Sequence, residues 1–169
     1  MPQNERVALE VCIDTAAGLS ACHGLVDRIE LCYGLELGGL TPSAGLMQAA
    51  KQSGIETHVL IRPRTGDFHF DDEALTAALH DIRHVKSLGL KGVVIGAVKE
   101  GELDHDTLAQ MCAAASGLHV TLHRAFDVVA DRPRALEHAI ALGMSRILTS
   151  GGAVTAHEGR KDIALINRL

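Results

Sequence analysis

One short segment of the sequence alternates strictly between apolar and polar side chains. Because neighbouring side chains of an extended strand face opposite sides, Ile29 and Leu31 share one face. The other face carries Arg28, Glu30 and Cys32. A strand that buries an apolar side under helices and turns charges and a thiol inward is typical of a β/α barrel, whose interior holds the ligand site.

Similar strand patterns alternate with helical patterns about six times along the chain, as expected for βα units around a parallel sheet. The predicted strands cover residues 7–13, 27–32, 56–62, 92–95, 119–123 and 146–149. The helix after the second strand is predicted to begin with Thr41 as its cap and Pro42 in its first turn, and to end at Gly54. The next three helices are bounded by residues 71 and 89, 104 and 117, and 133 and 143, and a sixth starts near residue 155. Six units leave two alternatives, an open parallel sheet or a barrel without its last quarter.

Composition narrows the class of protein. The 169 residues carry a net charge of −5, with a pI near 6.0, so no broad basic field is available for nucleic acid. No apolar run approaches the roughly 20 residues that span a bilayer, and the first residues lack the apolar core of a signal peptide, so we expect no membrane partner and a cytoplasmic location. The four cysteines have no CxxC spacing, which argues against a disulfide framework.

The same alternation collects candidate functional side chains at the carboxyl ends of the strands, where α/β sheets and barrels bind ligands. Candidates for proton transfer are His123, whose unperturbed pKa lies near neutral, together with Glu30, Glu10 and Asp127. Candidates for binding a small anion are Arg28, Arg62, Arg64, Arg124 and Ser150. The alternative is that these charges pair with one another, for example as an Arg–Asp lock, and that the turn at Ser150 is only a tight turn.

Two thiols stand apart from the other cysteines. Cys12 and Cys32 have the same inward parity on neighbouring parallel strands, which lie about 4.8 Å apart. At a similar height, both sulfurs could meet one soft ion, and two thiolates without an evident third ligand suit Cu(I) better than zinc. The alternative is that they are two small buried hydrophobic side chains.

Five motifs together resemble the copper homeostasis protein CutC family. They lie, in order, at residues 9–12, 27–43, 61–68, 120–127 and 146–152, and so extend over nearly the whole chain. The resemblance implies a TIM barrel, a cytosolic protein and a role in copper handling, with Cu(I) bound by two cysteines of the first two strands, here Cys12 and Cys32. Members of the family continue into two further strands.

We therefore predict a single domain over residues 1–169, an α/β fold of the TIM (β/α)8 type that lacks the last two β/α units. Its first and sixth strands would be open edges, so we expect self-association that covers them. Two functions fit the predicted barrel mouth. One is Cu(I) binding in copper homeostasis, and the other is an enzyme that acts on a small anionic substrate by His and Glu acid–base chemistry.

Overall fold

The computed structural model of the chain describes residues 6–168. Six parallel strands form one sheet in the order in which they occur along the chain. The strands are β1 (Glu10–Ile13), β2 (Arg28–Leu31), β3 (Thr57–Leu60), β4 (Gly92–Ile95), β7 (His119–Leu122) and β8 (Arg146–Ile147), and a separate antiparallel hairpin is made by β5 (Val98–Lys99) and β6 (Glu102–Leu103). The six strands expected from the sequence are confirmed, and the fold is α/β with a curled parallel sheet, a partial TIM-like barrel.

Helices lie between successive strands of the sheet, and one more helix follows the last strand. They are α1 (Ala16–Cys22), α2 (Ala44–Ser53), α3 (Asp72–Ser87), α4 (His105–Ala114), α5 (Ala125–Val128), α6 (Arg132–Ala141) and α7 (Arg160–Ile166), with a 3-10 turn at Leu35–Leu37. Two predicted starts are wrong. Helix α2 is capped by Ser43, because the Thr41 hydroxyl instead accepts a hydrogen bond from the backbone N–H of Arg62. Helix α7 begins five residues later than expected, since residues 155–159 form turns.

The two faces of the sheet bury different side chains. Outward-facing residues such as Ile29 and Leu31 are fully buried and belong to the main hydrophobic core, together with helical residues such as Met47 and Ile82. The inner face carries a small apolar cluster of Cys32, Leu60 and Val94. The odd–even alternation predicted from the sequence is thus confirmed, and it directs the polar side chains into the barrel interior.

Strands β1 and β8 are the two edges of the sheet within residues 6–168. The expected self-association through these edges stays a prediction. Among the residues that the structure describes, no helix has the length and apolar character needed to cross a membrane.

Candidate functional site

A cleft opens at the carboxyl ends of the parallel strands, with a volume of about 170 Å³. Strand register explains its composition, because Cys12 of β1 pairs with Glu30 of β2 and both side chains face inward. The polar lining residues come from β1, β2 and the segments after β3 and β7: Cys12, Glu30, Cys32, Arg62, His123 and Arg124. The structure thus brings together six of the residues predicted from the sequence. Cys12, Glu30 and Cys32 form the acidic and thiol wall, and Arg62, His123 and Arg124 form the basic wall.

Glu30 is the central group of the acidic wall. It is only 7% exposed, and burial, followed by the charge of Glu10, raises its pKa to about 7. The Cys32 thiol donates to Glu30 Oε1 at 3.6 Å. Burial, then the charges of Glu30 and Glu10, raise the pKa of the Cys12 thiol to about 12, and burial and Glu30 also raise the pKa of Cys32. At neutral pH both thiols therefore keep their protons, while Glu30 is close to half ionised.

His123 is buried in the basic wall. Its Nδ1 accepts a hydrogen bond of 3.0 Å from the backbone N–H of Ala125, so the proton of the neutral ring resides on Nε2. Across the described chain, residues 6–168, no atom accepts a hydrogen bond from this buried Nε2. Burial and then the charge of Arg62 lower the pKa of His123 to about 3, so the near-neutral pKa assumed from the sequence is wrong for this position. The ring is therefore neutral, with its N–H at Nε2 available to donate a hydrogen bond.

Two further residues shape the space around His123. A side-chain carbon at Gly96 would collide with the imidazole, so the ring fits only because residue 96 is a glycine. Phe68 packs on the other side, with its ring centroid 4.7 Å from that of His123. The Phe68 centroid also lies 5.2 Å from Cζ of Arg62, which therefore shares one aromatic neighbour with His123.

The guanidinium of Arg62 holds two loops together. Its Nη1 donates to the carbonyl of Gly39 at 3.0 Å, and its Nη2 donates to the carbonyl of Gly66 at 2.6 Å. Its Nε is buried and, among the described residues, has no hydrogen-bond partner. Burial, and then the charge of Arg64, lower the pKa of Arg62 from its ordinary value. Arg62 and His123 both line the cleft, and within residues 6–168 each has one buried N–H group without an acceptor, Nε of Arg62 and Nε2 of His123.

Asp127 and Ser150 have structural roles instead of facing the cleft. The Asp127 carboxylate accepts hydrogen bonds from Arg124 Nε at 2.7 Å and from the backbone N–H groups of Ser150 at 3.0 Å and Gly152 at 2.9 Å. Although burial opposes it, hydrogen bonding led by the Thr149 hydroxyl lowers the pKa of Asp127 to about 2. The backbone N–H groups of Ser150 and Gly152 are thus taken by this carboxylate, and the tight-turn alternative describes Ser150.

Arg28, Glu10 and Arg64 also lie outside the lining of the cleft. Arg28 Nη2 is 2.6 Å from Glu10 Oε2, and this pair lies toward the amino-terminal ends of the strands. Arg64 Nη2 is 2.6 Å from Asp67 Oδ1, in its own exposed loop. For these residues the structure shows the Arg–Asp and Arg–Glu pairing that the sequence had left as the alternative.

Sequence reasoning missed a second polar group at the opposite, amino-terminal end of the barrel interior. Glu56 and His119 lie beside His58 there. Burial, and then the charges of Arg28 and Arg146, lower the pKa of His58 to about 4. The odd–even alternation could have identified both residues. Glu56 has the same parity as His58 in one predicted strand, and His119 has the same parity as His123 at the start of another.

Comparisons with known proteins agree with this architecture. The model of the CutC family matches residues 7–168. A CutC family protein of Agrobacterium fabrum is 50% identical over 163 residues, covering 95% of this chain and 65% of the relative. One of Caulobacter vibrioides is also 50% identical over 163 residues, covering 95% of this chain and 66% of the relative. The chain thus spans slightly less than two thirds of the length of these relatives.

A crystal structure from Streptococcus agalactiae, described as that of a candidate copper homeostasis protein CutC, superimposes with a TM-score of 0.90 at 31% identity. The match covers 96% of this chain and 82% of that one. Together with the family match and the relatives at 50% identity, this shows that the chain belongs to the CutC family.

Proposed function

We propose that the cleft binds a small anionic molecule and catalyses proton transfer on it. The observation that carries the proposal is that two residues lining one cleft, Arg62 and His123, each have a buried N–H donor without an acceptor among residues 6–168, Nε and Nε2 respectively. A buried donor left unsatisfied costs about 1–3 kcal/mol. A carboxylate, phosphate or enolate oxygen between these donors would satisfy both, and the Arg62 charge favours an anion.

Glu30 is the group that would move the proton. A carboxyl with a pKa of about 7 exchanges protons efficiently at neutral pH, because both of its protonation states are populated. In the proposed step, ionised Glu30 takes a proton from a carbon or hydroxyl of the bound anion, and the electron pair moves onto a substrate oxygen. The N–H groups of His123 and Arg62 stabilise that oxygen. Return of the proton from Glu30 to a different atom completes an isomerisation without any further reactant.

The dimensions and charge of the cleft restrict the substrate. A volume of about 170 Å³ is below the roughly 300 Å³ at which pockets for drug-sized ligands begin. The lining combines Glu30 and the two thiols with Arg62 and His123. A small metabolite with an anionic group at one end and an exchangeable proton at the other fits this combination.

The test is a thermal-shift screen with small carboxylates and phosphate esters, since a ligand that prefers the folded state raises Tm. Arg62→Lys keeps the positive charge but removes the Nε donor, and His123→Ala removes the other donor. Arg64→Ala is the matched control, because it removes a positive charge two residues away that does not line the cleft. We expect a binding anion whose shift is lost in both cleft variants and kept in the control. The absence of any stabilising anion, or full retention of the shift by both cleft variants, would overturn the proposal.

A second candidate function is Cu(I) binding at Cys12 and Cys32. The observation that favours it is that both thiols adjoin the same buried carboxylate, Glu30, on neighbouring strands. The donor set fits the ion, because thiolates are the ligands that Cu(I) prefers. Cys12 and Cys32 would hold the ion and release their protons as it binds. All four cysteines are free thiols, in keeping with the reducing cytoplasm that we propose as the location.

Anaerobic titration against a chromophoric Cu(I) chelator tests this second function. The double variant Cys12→Ser/Cys32→Ser should lose high-affinity binding, whereas Cys112→Ser, which changes a half-buried thiol on α4, should keep it. Equal affinity in the double variant and the unmodified protein would remove copper binding from consideration. Anion binding that survives in the double variant but is lost in Arg62→Lys would favour the enzyme.

A further inference from the structure

A second polar site occupies the amino-terminal end of the barrel interior. Glu56 immediately precedes β3, His58 lies within β3, and His119 is the first residue of β7. Strand β4 runs between these two strands, and its Gly92 is in register with both His58 and His119. The three side chains are therefore at the same height in the sheet, at the end opposite to the cleft.

We infer that this site binds one divalent transition-metal ion through Glu56, His58 and His119. The Glu56 Oε1 atom is 3.3 Å from Nε2 of His58 and 3.9 Å from Nδ1 of His119, and the three ligand atoms all lie within 4.8 Å of one another. In a tetrahedral zinc site with bonds of about 2.0–2.1 Å, ligand atoms are separated by about 3.3–3.4 Å. The separation between Glu56 and His58 already has this value, and a small movement of His119 would bring the other two close to it.

The buried ring of His58 gives a separate reason to expect a bound ion at this site. Its side chain is completely buried, yet neither of its ring nitrogens has a hydrogen-bond partner in the part of the chain that the structure describes. The Nε2 atom is within 3.3 Å of the Glu56 carboxylate, but the N–H direction is not aligned for a hydrogen bond, so proximity alone does not satisfy it. A metal ion between the two would use the nitrogen lone pair and the carboxylate together.

The His58 ring has room beside β4 only because residue 92 is a glycine. A side-chain carbon at Gly92 would lie 2.7 Å from Nε2 of His58 and 2.8 Å from the carbonyl oxygen of His119. Any other residue would push the imidazole away from its position across β4. The ring centroids of His58 and His119 are 5.5 Å apart over this gap, so the missing side chain is what lets two strands that are not neighbours share one site.

The charges around the site determine which ion it suits. Arg28 Nη1 lies 3.7 Å from Glu56 Oε1, but Arg28 is itself paired with Glu10 at 2.6 Å. Arg146 is a further positive group whose charge acts on His58. These two arginines balance the two glutamates, so the type of donor atom, and not the net charge, determines which cation the site prefers. Two imidazoles and one carboxylate instead match Zn²⁺, with the fourth position left for water.

Untagged protein with the substitutions Cys12→Ser/Cys32→Ser isolates this site from the thiols of the cleft. Calorimetric titration with Zn²⁺ should show one equivalent bound. His119→Ala or Glu56→Gln on this background should weaken binding by at least about tenfold, given that even outer partners of metal ligands contribute 10- to 100-fold. His105→Ala is the matched control, because it removes an exposed histidine 3.7 Å from another carboxylate.

Both test positions are partly exposed, with side-chain accessibilities of 53% for His119 and 39% for Glu56, so these variants should remain folded. Co²⁺ provides a spectroscopic check, since binding here should give the visible bands of a tetrahedral ion without a thiolate charge-transfer band. Failure of the background protein to bind Zn²⁺, or equal affinity before and after His119→Ala, would overturn the inference. Neither result would affect anion binding at the cleft, which lies at the other end of the barrel.

Discussion

Glu30→Gln should make the protein more stable at alkaline pH, although the substitution is in the candidate site. Glutamine has the shape of the protonated carboxyl and cannot ionise. The folded protein raises the pKa of Glu30 from its ordinary 4.5 to about 7, mainly by burial. Below pH 4.5 the group is protonated in both the folded and the unfolded chain, and its ionisation costs nothing.

Between pH 4.5 and about 7 the unfolded chain releases this proton and the folded chain retains it, so the free energy of unfolding falls as the pH rises. Each pH unit in this window is worth about 1.4 kcal/mol, which amounts to about 3 kcal/mol in total. Above pH 7 the free energy of unfolding has fallen by this full amount, and the ionisation of Glu30 no longer changes it. Relative to the unmodified protein, Glu30→Gln should therefore gain about 3 kcal/mol at pH 8 and almost nothing at pH 4.5.

Urea unfolding at several pH values between 4.5 and 8.5 measures this difference. Subtracting the two curves removes the contribution of the titrating groups that do not interact with Glu30, and the Cys12 and Cys32 thiols, which do interact with it, ionise above this pH range. Glu137→Gln, at an exposed position of α6, is the matched control for the loss of one carboxylate. A gain of Glu30→Gln that is the same at every pH, or a loss at pH 8, would refute the account of Glu30 as a buried carboxyl with a raised pKa.

Three further predictions follow from neighbouring contacts. Glu30→Gln should lower the pKa of the Cys12 thiol from about 12, because the Glu30 charge contributes to it after burial, and alkylation of Cys12 at pH 8, followed by mass spectrometry, should become faster. Gly96→Ala should destabilise the fold by about 1–3 kcal/mol in urea unfolding, because the added methyl collides with the ring of His123. Asp127→Asn should cost about 2 kcal/mol at pH 7, because the pKa of Asp127 is lowered from 3.8 to about 2. That stability is present above pH 3.8 and is lost as the pH falls toward 2, so the cost measured by urea unfolding should vanish there.

Local pattern predicted the sheet well, because the direction of a side chain in a strand depends only on its parity. Ile29 and Leu31 were assigned to the helical side, and Glu30 and Cys32 to the interior, and the structure shows both assignments. Sequence pattern predicted the helix starts less accurately, because a side-chain hydroxyl caps a helix only if no other group in the folded chain forms a hydrogen bond with it. Thr41 was available as a cap by sequence but is used by Arg62 in the folded chain.

Parity does not give the height of a residue along the barrel. Arg28 and Glu30 face the same interior, yet Arg28 pairs with Glu10 at one end while Glu30 lines the cleft at the other. Nor does parity give the partners of a residue in a loop: the sequence makes Asp127 a candidate for proton transfer, whereas in the structure it accepts the backbone N–H of Ser150 and holds that turn.

The sequence alone determined the six parallel strands, the polar interior and the inward direction of Cys12, Glu30 and His123, because all of these follow from backbone geometry between adjacent residues. Only the tertiary structure decided which polar groups are satisfied and how they titrate. Burial sets the pKa of Glu30 near 7 and that of His123 near 3, and it depends on strands and loops far apart in the chain. The same long-range packing leaves Nε of Arg62 without an acceptor among the residues that the structure describes, and the order of residues along the chain does not indicate this.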